Sequence, residues 1–212
     1  MKVKLANFLR WSTEPKETSP EPVQAESAPT QQAAKTASSP ATQVNARAFW
    51  LSDGQPASGK VEVDVAKVNG SCVVNAASSL RVEGQAWIVL NSGENFPVVV
   101  KSRTVDGATE RLETTVAKPF DAEPAANPDR TARWSWIGDG VILVSEWASL
   151  RNVADGKVEL MSSRTPPFPS LVLIGGSQYS SVASTVETRI QDRQPVTVVE
   201  ILDTFEVGKK AA

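Results

Sequence analysis

Residues 151–160, RNVADGKVEL, gather short polar groups at one tight corner. Arg151-Asn152 turns into a loop, Ala154-Asp155-Gly156 makes the corner, and Lys157–Leu160 alternates polar and apolar as a half-buried strand does. Such a passage is either a plain hairpin or a ligand-binding turn. Around it, the means for covalent chemistry are scarce. The chain has no histidine and a single cysteine, Cys72. That removes Ser-His-Asp and Cys-His catalysis and zinc sites built from His and Cys. Val73 and Val74, which follow it, mark Cys72 as a small core residue rather than a nucleophile. Gly138-Asp139-Gly140 and Gly175-Gly176 read as hairpin turns, because no helix follows either to supply an anion site. No EF-hand loop, Walker motif or nucleophile elbow is present, and no carboxylate pair stands on apolar flanks that would raise a pKa. The chemistry points to binding and away from an enzyme.

The 212 residues carry 22 basic and 24 acidic side chains with no basic block, which excludes the electrostatic footprint of a nucleic-acid partner. A lone cysteine forms no internal disulfide and needs no oxidising compartment. No apolar run approaches the roughly 20 residues of a transmembrane span, and the broken apolar start is no secretory signal. A cytoplasmic location is expected. Leu5, Phe8, Leu9 and Trp11 form either a frayed terminus or a weak docking stripe.

Residues 12–45 are almost all Ser, Thr, Pro, Ala, Gln, Glu and Lys. Such a segment buries too little surface to offset its ordering entropy, so residues 1–45 are expected to be a disordered arm. Val61, Val63 and Val65 then alternate with acidic residues, followed by SCVVNA, AWIVL, FPVVVKS and Arg111–Val116. Asn69-Gly70, Glu83-Gly84, Ser92-Gly93 and Asp106-Gly107 punctuate them. This predicts about five strands over 46–117, enough for a small closed barrel. Three prolines mark 118–129 as a linker. A second strand-rich block spans 130–207, and 208–212 is a tail. The expected fold is all-β: two small antiparallel β-barrels in tandem.

The two blocks resemble each other. Asp64-Val65-Ala66 matches Asn152-Val153-Ala154 at an offset of 88 residues (152 − 64). An alternating strand, a short apolar strand and a Val-rich strand follow in both, which suggests repetition of one β unit. Trp134 and Trp136 share one strand face, either as core or as a surface on which a purine stacks. Trp50 and Trp147 read as core.

On these residues the second block, about 129–206, resembles a PilZ domain, and 47–117 does so more faintly. That family is a small antiparallel barrel whose usual role is to bind the bacterial messenger cyclic di-GMP. Its motifs are R-x-x-x-R ahead of the first strand and D/N-x-S-x-x-G in a following turn. Asn152–Lys157 stands where the second motif belongs, and Arg130 and Arg133 lie upstream. The resemblance implies a bacterial signalling protein that binds cyclic di-GMP through Arg130, Arg133, Asn152 and Gly156 and relays the signal to a protein partner, with no resident cofactor or metal. Guanidinium forks suit phosphate oxygens and the O6/N7 edge of guanine. A glycine lets the backbone turn beside the ligand. This chain departs from the pattern in three places: Ala154 replaces Ser, Lys157 replaces Gly, and the arginines are spaced R-x-x-R. In extended chain, positions i and i+3 face opposite sides, so the pair converges only where the backbone bends. Asn152 also suits a turn cap bonding its own backbone, and both arginines suit solvated linker charges. The alternative implied is an adaptor that has lost nucleotide binding and acts by protein–protein contact.

Overall fold

Alternation of apolar and polar residues builds thirteen strands among the described residues. The computed structural model describes residues 43–64, 70–119, 132–153, 155–176 and 178–207; the expected tail lies outside these, as does the expected arm up to residue 42. In chain order the strands are β1 (Gln43–Ser52), β2 (Gln55–Asp64), β3 (Ser71–Ala77), β4 (Gln85–Leu90), β5 (Asn95–Asp106), β6 (Thr109–Val116), β7 (Lys118–Pro119), β8 (Ala132–Ile137), β9 (Ile142–Asn152), β10 (Lys157–Met161), β11 (Leu171–Gly175), β12 (Tyr179–Gln191) and β13 (Gln194–Glu206). A single 3-10 turn at Ser78–Leu80 is the helical element among the described residues.

The first six strands close into an antiparallel barrel in the order β1-β2-β3-β6-β5-β4, sealed by pairing of β1 with β4. The strands β8 to β13 repeat that order. They run β8-β9-β10-β13-β12-β11, and the pairings of β9 with β10 and of β8 with β11 close the ring. Two closed all-β barrels are therefore present, each with six strands. β1 is the strand that the sequence pattern missed. It begins at Gln43, so the last three residues of the expected arm belong to it. Its inward positions, Ala46, Ala48 and Trp50, are mostly too small to announce a strand. Lys118 and Pro119, at the start of the expected linker, pair parallel to Ile142 and Leu143.

The repetition extends to register. Arg47 lies opposite Val89, and Arg133 lies opposite Gly175, both partners shifted by 86 residues (133 − 47 and 175 − 89). Val74↔Leu112 recurs as Leu160↔Thr197, and Val98↔Val116 as Ala183↔Ile201. The ladder corrects the sequence alignment by one residue. Asp64 lies opposite Val73, and Arg151, not Asn152, lies opposite the matching Glu159. Strand pairing sets equivalence here, and a one-residue slip exchanges the two faces of a strand.

Each barrel has its own interior. Trp50, Val61, Val63, Val74, Ile88 and Leu112 fill the first, and Trp134, Trp136, Leu160, Val172, Ile174 and Val199 fill the second. A third apolar cluster joins them. Phe49, Trp87 and Val89 point outward from β1 and β4 and pack on Leu171 and Val182, with Leu173, Leu202 and Phe205 alongside. Both barrels lie within one compact unit, Ser38–Ala212. Burying an aromatic of this size stabilises by about 1.5–3 kcal/mol, so Phe49 and Trp87 make the seam a substantial bond between the barrels. Arg47 reinforces it with an ion pair to Asp203 at 2.8 Å. Gly93, in the β4–β5 turn, presses so close that a Cβ there would stand 2.1 Å from the Glu206 carbonyl oxygen.

Candidate functional site

The candidate turn joins β9 to β10 at one end of the second barrel. Asn152 is the last residue of β9 and lies opposite Val158. The Val153 N–H donates to the Lys157 carbonyl at 3.0 Å and closes the loop. Asp155 and Gly156 both take left-handed φ, at 66° and 72°, the conformation that Asp tolerates and Gly favours. A Cβ at Gly156 would meet nothing within 4 Å, so the backbone angle, not crowding, demands glycine. The Gly156 carbonyl accepts from the Ile201 N–H at 3.0 Å, which ties the turn to β13. Asn152 and Gly156 are thus brought together.

Arg133 is not brought to them. It lies within β8, opposite Trp147 and Gly175. Its neighbours Ala132 and Trp134 belong to the interior, so Arg133 faces outward, where Nη2 donates to Ser145 Oγ at 3.4 Å. Trp147 stands five residues before Asn152, roughly 17 Å along the strand. Arg130 and Ala154 lie outside the described residues; β8 begins two residues after Arg130, with Ala132 opposite Ala148.

Two cations flank the turn that sequence reasoning passed over, Arg151 and Lys157. Arg151 is exposed and lies opposite Glu159 on the ladder. Arg189 takes Glu159 in an ion pair, and Arg151 has no ion-pair partner among the described residues. The signal available was their immediate adjacency to the motif. Apolar side chains are exposed at this end of the barrel. Leu150 is 37% exposed, whereas its equivalent in the first barrel, Val63, is fully buried. Val153 is exposed beside it.

Of the four tryptophans read from the sequence, Trp147 departs from the expected core position. Trp134 and Trp136 are buried, their ring centroids 4.9 Å apart at a 54° tilt, so they are core and offer no stacking surface. Trp147 is only half-buried, because it faces outward beside Arg133. Trp50 is core.

No family model matches the chain, and no curated protein matches it. Solved structures with some likeness include the Bacillus subtilis inhibitor of motility (MotI/DgrA), at 8% identity over 76% of this chain and 88% of that one, with a TM-score of 0.27. Another is MrkH, described as a c-di-GMP-dependent transcription regulatory factor, at 9% identity over 75% and 78% of the two chains, with a TM-score of 0.26. The apo state of K. pneumonia MrkH gives 10% identity, 74% and 77% coverage, and a TM-score of 0.24. Likeness this distant fixes no residue equivalence. No described helix is long and apolar enough to cross a membrane.

Proposed function

We propose that the chain is a PilZ-type signalling protein whose second barrel receives cyclic di-GMP at the β9–β10 turn. The observation that supports this reading is apolar exposure at that barrel end: Leu150 is 37% and Val153 39% exposed, beside the turn that runs from Asn152 to Gly156. In this reading Asn152 contacts a guanine edge and Gly156 leaves room for the ring. Arg130 supplies the phosphate grip. Arg151 and Lys157 add the charge that Arg133, laid along the outer face, contributes only at a distance. Apolar side chains at the mouth receive the flat face of the base.

A second reading rests on a different observation. The apolar seam with Phe49 and Trp87 buried holds the two barrels as one body. A fixed pair of barrels suits an adaptor that engages a protein partner without nucleotide. Calorimetry on the full chain separates the two. Micromolar binding of cyclic di-GMP that Asn152→Ala and Arg130→Ala each weaken by about ten-fold or more supports the receptor. Absence of heat at millimolar ligand removes it and leaves the adaptor.

A further inference from the structure

The first barrel carries a cleft that the proposed receptor role does not use. It measures about 660 Å³ and is lined by Asn45, Arg47, Ser58, Lys60 and Asn91. Arg47 and Lys60 are direct cross-strand partners on β1 and β2. Both are exposed, and the interior belongs to their neighbours Ala46, Ala48 and Val61. Two like charges directly opposite each other are destabilising by themselves. One carboxylate answers them: Asp203 of the second barrel, 2.8 Å from Arg47. The Arg47 guanidinium is further held over the Phe49 ring, 5.3 Å from its centroid. Lys60, Asn45 and Asn91 have no side-chain partner among the described residues. Glu62 is the nearest further acid along β2, and it lines the neighbouring groove rather than this cleft.

We propose that this cleft is an anion site for a small phosphate-bearing molecule. Lys60 and Arg47 would hold the phosphate, and the amides of Asn45 and Asn91 and the hydroxyl of Ser58 would take its remaining oxygens and the polar edge of the molecule attached to it. The volume lies within the range of small-molecule pockets and matches a mononucleotide better than a bare ion. Arg47 is fixed in advance by Asp203 and Phe49, so little ordering cost falls on it when the anion arrives. Asp203 competes for the same guanidinium, which links occupancy of the cleft to the contact between the barrels.

The test uses the full chain at low salt with GMP, and separately inorganic phosphate, as probes, followed by line broadening in ³¹P spectra. Broadening with GMP that Lys60→Ala and Asn91→Ala each weaken about ten-fold, and that Asp203→Asn strengthens several-fold, is the expected result. Inorganic phosphate binding as tightly as GMP would overturn the nucleotide-sized site. No broadening at about 10 mM probe, or broadening untouched by Lys60→Ala and Asn91→Ala, would overturn the site altogether. Far-ultraviolet circular dichroism on each variant confirms that exposed substitutions on an outer face leave the barrel folded.

Discussion

The two barrels share strand order and register but fill the same positions with different matter. At one inward layer the first barrel has Ala48 opposite Gly59, and the second has Trp134 opposite Glu146. The space left by Ala48 and Gly59 is taken by Leu80 from the 3-10 turn; a Cβ on Gly59 would stand 2.6 Å from Leu80 Cδ1. In the second barrel the indole of Trp134 fills the layer from within, and Glu146 accepts a hydrogen bond from Ser163 Oγ at 2.6 Å. Closed pairing fixes where a side chain must go, while volume is exchanged freely between facing positions, provided interior density is kept. The ends differ in the same spirit. Val63 is fully buried at one barrel end, whereas its counterpart Leu150, beside the candidate turn, is 37% exposed.

The sharpest test of that comparison is Trp134→Ala. It gives the second barrel the small residue of the first without a Leu80 to cover it. A loss of about 3–5 kcal/mol is expected in urea unfolding. A loss below about 1 kcal/mol would mean that neighbours collapse into the space and that the layers are not independently packed. Next comes the seam. Gly93 has φ of 83° and no room for a Cβ against Glu206, so Gly93→Ala should cost about 3 kcal/mol through backbone strain and overlap together. If the barrels depend on each other through Phe49 and Trp87, the same substitution should split one cooperative transition into two, read by tryptophan fluorescence against circular dichroism.

These contrasts show what was legible beforehand. Val61 and Val63, AWIVL and the Gly-bearing turns announced strands by period two, because β-branched and aromatic residues at inward positions leave a strong signal. β1 was not legible: two of its three inward residues are alanines, and it emerges from a stretch of Gln, Ala and Thr with the composition of an arm. The turn at Asn152–Gly156 was readable from Asp-Gly, whose paired left-handed angles the structure contains. The surroundings of Arg133 were not. Whether an arginine stands before a strand or inside it depends on where pairing begins, and pairing with β9 and β11 is a long-range property. The setting of Arg151 and the exposure of Leu150 depend on the same ladder and on comparison with the first barrel.

A milder change tests the turn alone. Gly156→Ala keeps open space but not the angle, so it should destabilise by about 1–2 kcal/mol while leaving the unfolding transition single. Ala at Gly138, where φ is not left-handed, meets Val144 Cγ2 at 3.2 Å and should act through packing instead. Suppression of the Gly138→Ala defect, but not the Gly156→Ala defect, by Val144→Ala would separate the two causes.

The smallest expected effect concerns one matched pair. Cys72 lies opposite Thr114 in the first barrel; the equivalent pair in the second is Val158 opposite Val199. The Cys72 thiol lies 2.9 Å from Thr114 Oγ1, and that hydroxyl also donates to the Cys72 carbonyl at 3.0 Å. Burial pushes the thiol pKa up, the hydrogen bond to Thr114 works against burial, and Asp64 adds to the rise. An unfolded chain then releases this proton before the folded one does. The contribution to stability is full below the ordinary thiol range of about 8.5 and falls as pH rises beyond it. Urea midpoints should therefore decline from neutral pH to about pH 9.5 in the native sequence. Replacing the pair with its counterpart, Cys72→Val with Thr114→Val, should leave stability at neutral pH within about 1 kcal/mol, since both polar partners go together. The double variant should also flatten the part of the alkaline decline that belongs to the thiol. A variant whose decline matches the native one would show that other groups carry it and that the apolar pair of the second barrel is no better suited to high pH than the polar pair of the first.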